Sequence, residues 1–206
     1  MPKRSSRVVS CTEARSVEKA KEVLSGGEFV VAPTDTIYGI LADATNPSAV
    51  KRLYKLRRPS GKPFLVLVPN LFWVQKLGLK MDRKVAKVLS GYTVSLVLLK
   101  RSRLFHWLGT DTVAVRYPRR GFIHMLLKRF CRPVVAPSAN LEGKPPAEDI
   151  ERAYRYFGER VSLYIDCGKL TGKPSPIVLL SDRGVRVLRS GVHSTYSLNR
   201  ILSRKP

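Results

Sequence analysis

The apolar positions of this chain follow two periods, and each predicts a different element. Over Ser16–Leu24, the residues Val17, Ala20, Val23 and Leu24 recur at helical spacing, and Gly26-Gly27 supplies the stop. Asn46-Pro47 reads as a cap followed by proline in a first helical turn. The helix it opens turns Val50, Leu53 and Tyr54 inward and Lys51, Arg52 and Lys55 outward. Residues 71–90 suggest two short helices, Gly121–Phe130 another, and Ala147–Phe157 a fourth, with Ile150, Ala153, Tyr154 and Phe157 on one face. The remaining apolar segments are short and continuous: Glu28–Ala32, Phe64–Val68, Val94–Leu99, Val113–Tyr117, Val134–Ala136, Leu163–Ile165, Ile177–Leu180 and Val185–Leu188. Strands apolar on both faces belong to a sheet covered by helices. With strands and helices intermixed and no repeat or linker between halves, the expectation is one α/β domain.

Composition narrows this further. The 206 residues suffice for a real core, and 44% hydrophobic content excludes wholesale disorder. The longest apolar run, Phe64–Val68, is far short of the roughly 20 residues of a membrane-spanning helix. The basic opening Met1–Arg7 has no apolar stretch behind it, so a secretory signal is not expected. Cys11, Cys131 and Cys167 are too few and too scattered for a disulfide framework or a zinc site, which makes a reducing cytoplasm the expected location. The net charge of +23 is unevenly placed: zero over residues 1–50, +18 over 51–132 and +5 over 133–206. Such a surplus is either a solvated basic surface or a field for polyanions such as RNA or nucleotide phosphates. Charge alone does not choose between them.

Three short polar segments adjoin buried strands: Pro33-Thr-Asp-Thr36, Pro137-Ser-Ala-Asn140 and Pro174-Ser-Pro176. Each is an ordinary turn composition, but strand ends are also where α/β proteins bind ligands. Arg116 lies inside an apolar strand, where an unpaired guanidinium is too costly to bury, so it is either edge-exposed or aimed at an anion. Arg189 is placed similarly, and Arg57, Arg58 and Lys62 surround Pro59-Ser60-Gly61, a loop able to hold phosphate. Arg119 and Arg120 read as surface cations. Walker and dinucleotide glycine loops, a nucleophile elbow and metal-spaced histidines are all missing, so catalysis here would rest on positioning and charge.

Ala32-Pro-Thr-Asp-Thr-Ile-Tyr-Gly-Ile40 with Asp43-Ala-Thr-Asn46 closely resembles the opening signature of the YrdC-like family. The likeness continues through Arg58-Pro59, Lys62-Pro-Phe64, Ser95-Leu-Val-Leu98, Val115-Arg-Tyr-Pro118, Ala136-Pro-Ser-Ala-Asn140, Asp166-Cys-Gly168, Ser175 and Leu188-Arg-Ser-Gly191. The resemblance implies a twisted, open mixed sheet with helices around a large basic cavity. It also implies an activity: L-threonine, bicarbonate or CO2, and ATP would give threonylcarbamoyl-AMP and pyrophosphate. A partner transferase complex would then pass the carbamoyl group to N6 of an adenosine in tRNA. Magnesium would accompany the ATP, with no protein-bound metal site. The same resemblance divides the chain into a basic extension (1–13), the domain (14–195) and a short tail (196–206).

Carried over by motif, Thr34, Tyr38, Arg116 and Ser175 would serve the threonine and carbamate end, and Arg58, Ser138, Asn140 and Arg189 the nucleotide. Ser95 keeps a hydroxyl where the family has Thr. Leu56 occupies the position two before Arg58, where the family has a catalytic Lys. Either Lys55 stands in, one residue out of register, or Arg57 replaces the Lys across a one-residue deletion; Lys55, Arg57 and Arg58 are therefore the catalytic candidates. A non-catalytic paralogue that binds tRNA or double-stranded RNA is the alternative.

Overall fold

The computed structural model describes residues 7–58, 60–181 and 184–191. The opening residues 1–6, Pro59, His193 and the tail 196–206 lie outside them. In chain order the elements are β1 (Val8–Ser10), α1 (Ser16–Ser25), β2 (Val30–Pro33), β3 (Tyr38–Asp43), α2 (Pro47–Arg57) and β4 (Leu65–Leu67). Then follow α3 (Phe72–Lys76), α4 (Arg83–Gly91), β5 (Ser95–Leu99), β6 (Thr112–Arg116), α5 (Gly121–Phe130) and β7 (Val134–Val135). The chain closes with α6 (Ile150–Phe157), β8 (Leu163–Asp166), β9 (Ile177–Ser181) and β10 (Gly184–Arg189).

Among the described residues ten strands join one mixed sheet in the order β1-β8-β2-β3-β7-β4-β6-β5-β9-β10. The continuous apolar runs have the predicted cause. Along β2, Val30 and Ala32 face one core while Val31 faces the other, and Leu41 departs in the same way from Ile40 and Ala42 in β3. Helices α1 and α5 cover the first face through Ala20, Leu24, Phe122, Ile123 and Leu126. Helices α2, α3, α4 and α6 cover the second through Leu53, Val74, Leu89 and Phe157, among others.

Local signals hold at the caps. The Asn46 side chain accepts the Ala49 N–H at 3.1 Å and Pro47 opens α2, whose Lys51, Arg52 and Lys55 are exposed as the pattern required. The last helix is shorter than expected. Asp149 accepts the Arg152 N–H at 2.7 Å and starts α6 at Ile150, which leaves 147–149 outside it.

Strand β1 was not foreseen; it lies within the stretch set aside as an extension and pairs in parallel with β8, Ser10 opposite Asp166. That pairing corrects the reading of the cysteines. It brings Cys11 and Cys167, 156 residues apart in sequence, to a Cα separation of 5.3 Å and joins them in a disulfide. Among the described residues no helix is long and apolar enough to cross a membrane.

Candidate active-site cleft

The polar segments after β2 and β7 and before β9 converge on one cleft, a cavity of about 110 Å³. Its walls include Thr34, Tyr38, Arg58, Arg116, Ser138, Ser175 and Arg189. Sheet order explains the meeting: β7 runs antiparallel to both β3 and β4, and β6 lies beside β4. Two glycines permit the close approach. A Cβ on Gly39 would stand 3.3 Å from the Pro137 carbonyl, and one on Gly191 would strike the Pro174 carbonyl and Pro176 nitrogen.

Thr34 closes the β2–β3 turn. Its hydroxyl donates to the Ile37 carbonyl at 2.7 Å and accepts from the Thr36 and Ile37 N–H groups. Tyr38 is fully buried; its hydroxyl donates to the Gly168 carbonyl at 2.7 Å and accepts the Cys167 N–H at 3.0 Å. Burial pushes this phenol up to about 12, against the backbone hydrogen bond, so it stays neutral. Tyr38 thus lines the cleft while its polar end fastens the 167–168 turn.

At the other wall, helix α2 carries the two candidates Lys55 and Arg57. Lys55 and Arg57 stand about 200° apart around α2 and so face opposite sides of it. Arg57 is the one turned inward, at 4% exposure, and Lys55 is exposed; neither lines the cleft. Arg57 Nε donates to the Ser138 carbonyl at 3.1 Å, and its Nη2 donates to Ser138 Oγ (3.1 Å) and Asn140 Oδ1 (2.9 Å). Asn140 is itself fixed, its amide donating to the Leu141 and Lys144 carbonyls. Burial lowers the Arg57 guanidinium to about 10, with the neighbouring Arg58 adding to the shift; it remains charged at neutral pH. Arg58 is held by the Lys62 and Pro63 carbonyls, with its guanidinium 5.3 Å from the Phe64 ring centre.

Ser175 ties the remaining arginines together. Its hydroxyl accepts from Arg116 Nη1 at 2.6 Å and contacts Ser95 Oγ at 2.9 Å, and its carbonyl accepts Arg189 Nε and Nη2. The anion required by buried Arg116 is the protein's own: Nη2 lies 2.9 Å from Asp35 Oδ1, and both side chains are 3% exposed. Burial depresses the Arg116 guanidinium and Asp35 opposes that shift. Asp35 was not among the expected site residues. The signal for it was present, since a strand arginine needs an anion and Asp35 occupies the neighbouring polar turn. Arg119 and Arg120 are exposed, as expected. Asp43, part of the opening signature, is buried in a structural role, accepting from Thr45 and pairing with Arg132 at 2.7 Å.

An open α/β sheet whose strand ends gather three arginines and several small hydroxyls in one cleft has the donors that suit anionic groups. The chain belongs to the Sua5/YciO/YrdC family, described as telomere recombination, which it matches over residues 22–191. A Mycobacterium tuberculosis relative is 33% identical over 196 residues, spanning 92% of this chain and 90% of its own. A Bacillus subtilis relative named threonylcarbamoyl-AMP synthase is 29% identical, spanning 87% of this chain and 54% of its own. Pyrococcus abyssi Sua5 complexed with L-threonine superposes with a TM-score of 0.81 at 28% identity, over 92% of this chain and 58% of that one. Escherichia coli YciO, at 22% identity and a TM-score of 0.79, has the same fold over 95% of this chain.

Proposed function

We propose that the cleft forms threonylcarbamoyl-AMP from L-threonine, bicarbonate or CO2, and ATP. In that reaction a carbamate oxygen of N-carboxythreonine attacks the α-phosphorus, and the bond to the departing pyrophosphate breaks. Both partners are anions, so the site must supply cations in fixed places. The observation that carries this reading is the gathering of Arg58, Arg116, Ser138, Ser175 and Arg189 in one cleft, with Arg57 behind its wall bonded to Ser138 and Asn140. Arg57 takes the place of the family's lysine and presents a charged fork held by three hydrogen bonds. Arg58 and Arg189 receive the nucleotide phosphates, with Ser138 and Asn140 aligned behind them. Arg116 and Ser175 receive the amino-acid carboxylate, beside Thr34 and Tyr38. Magnesium arrives on the triphosphate as part of the substrate, and the product feeds carbamoyl transfer to tRNA.

Incubation with ATP, bicarbonate, threonine and magnesium tests this directly. Threonine-dependent pyrophosphate release is expected; release that ignores threonine, or none, refutes the reading. Exposed Lys51, Arg52, Lys55, Lys76, Arg83, Lys87, Arg101 and Arg103 favour a second reading, binding of tRNA or double-stranded RNA. Its expected sign is an affinity that falls steeply with salt in a chain that makes no pyrophosphate.

A further inference from the structure

Arg58 reaches the cleft from a loop that closes on itself. Its Nη1 donates to the Lys62 and Pro63 carbonyls, and the Gly61 N–H donates to the Arg58 carbonyl, so the loop is wrapped around its own guanidinium. Hydrogen bonds inside a loop fix its shape but not its place against the rest of the protein. That place is set from outside. Among the described residues, the hydrogen bonds that Ser60, Gly61 and Lys62 make beyond the loop all go to Glu142. One carboxylate oxygen accepts the Ser60 N–H at 3.2 Å and the other accepts the Ser60 hydroxyl at 2.5 Å.

Glu142 is itself held where it can do this. It stands in the turn that follows Ser138–Asn140, where the Lys144 N–H donates to the Leu141 carbonyl. Gly143 has a φ of 79°, a left-handed conformation that glycine adopts without strain. Asn140 braces the turn through the Leu141 and Lys144 carbonyls, and its own oxygen accepts from Arg57. The contacts form a closed circuit: from Arg57 at the end of α2 to Asn140, through the 141–144 turn to Ser60, and back along the chain to Arg58. Hydrogen bonds from the Ser60 hydroxyl and N–H lower the Glu142 carboxyl, and Arg58 and Lys62 add to the shift, so it meets the loop as an anion. Neither Ser60 nor Glu142 lines the cleft, and whatever they do for a ligand there they do through the loop that carries Arg58.

We propose that Glu142 is a positioning residue for the phosphate end of the cleft: by clasping Ser60 it fixes the loop, and with it Arg58, where the nucleotide phosphates arrive. This rests on the proposed function in taking those phosphates as the ligand of Arg58. The sign of the effect separates a clasp from a bystander. A carboxylate with no other part in the site repels a polyphosphate, so its removal tightens ATP binding. A clasp does the reverse, and its loss weakens binding although a negative charge has gone.

Calorimetric titration of magnesium ATP into wild type and variants, alongside steady-state pyrophosphate release, is the test. Glu142→Ala should weaken ATP binding about tenfold, the loss of a charge-assisted pair of hydrogen bonds. KM for ATP should rise in step, with KM for threonine within about twofold of wild type and the melting midpoint unchanged, because the substituted side chain is exposed. Glu142→Gln loses the charge but keeps an acceptor for the Ser60 N–H, and should bind ATP within about threefold of wild type. Adding Ser60→Ala to Glu142→Ala should cost nothing further, since the two side chains make one contact. An E142A chain that binds ATP as tightly as wild type, or more tightly, overturns the proposal. So does a rise in both KM values together with a lowered melting midpoint, which marks general damage. Wild type that binds ATP but releases no pyrophosphate refutes the synthase reading alone, and the ATP affinities then decide on Glu142. Wild type that does not bind ATP overturns both.

Discussion

Two ends of one cleft use the same side chain in opposite ways. Arg116 is buried with Asp35, and its charge is spent inside the protein before any ligand arrives. Among the described residues Arg58 and Arg189 make their hydrogen bonds to backbone carbonyls, and their charge stays available. Burial of a guanidinium thus does not by itself mark a ligand contact; the partner decides. Where the partner is a carboxylate, the arginine also holds the fold. Where the partners are neutral, geometry is fixed and the field is left to act outward.

The sharpest way to break this contrast is to delete one arginine from each end. Arg116→Ala strands the buried Asp35 carboxylate, and unfolding in denaturant should show a loss of about 3–5 kcal/mol. Arg57→Ala comes next. It removes the donors that hold the Ser138 carbonyl and hydroxyl and the Asn140 amide oxygen, at an expected cost of about 1–3 kcal/mol, again read from denaturant midpoints. Arg57→Lys keeps the charge without the fork, so its pyrophosphate release should stay well below wild type even where stability recovers. Arg58→Ala should cost under about 1 kcal/mol, because the Lys62 and Pro63 carbonyls it bonds can turn to water, while abolishing threonine-dependent pyrophosphate release. Equal stability losses for Arg116→Ala and Arg58→Ala would erase the distinction between the two ends.

The smallest expected effect lies away from the cleft. Glu18 joins α1 to α5 through Arg129 at 2.8 Å and also meets Lys21. Hydrogen bonds from Lys21 and then Arg129 hold its carboxyl down at about 2 from an ordinary 4.5. A carboxylate lowered in the folded state stabilises it above pH 4.5, and that contribution disappears as pH falls through about 2. Both partners are open to solvent, so thermal melts of Glu18→Gln near neutrality should match wild type closely, and high salt should erase any residual difference.

Much of this architecture was legible in the chain. Val30 to Pro33 and Leu65 to Leu67 announced buried strands because both neighbouring faces are apolar, and Asn46-Pro47 announced its helix through capping chemistry. Arg116 announced its need for an anion. Tertiary pairing hid the rest. Val8–Ser10 is too short to show a period, and only β8 makes it a strand. No local pattern reports a bond between cysteines 156 residues apart. That Arg57 rather than Lys55 packs against the turn after β7 is a property of the assembled sheet. Asp35 looked like one turn residue among several until the fold put it against Arg116.

The Cys11–Cys167 bond has a topological consequence. It closes most of the polypeptide, including the turn at Thr34, helix α2 and the Ser138–Asn140 segment, into a covalent ring; of the cleft wall, only Pro174, Ser175, Ile177 and Arg189 lie beyond it. A single protease cut anywhere inside that ring opens the backbone without releasing a fragment. Nicked protein should run as one species on a denaturing gel until a reductant is added, and only then as two.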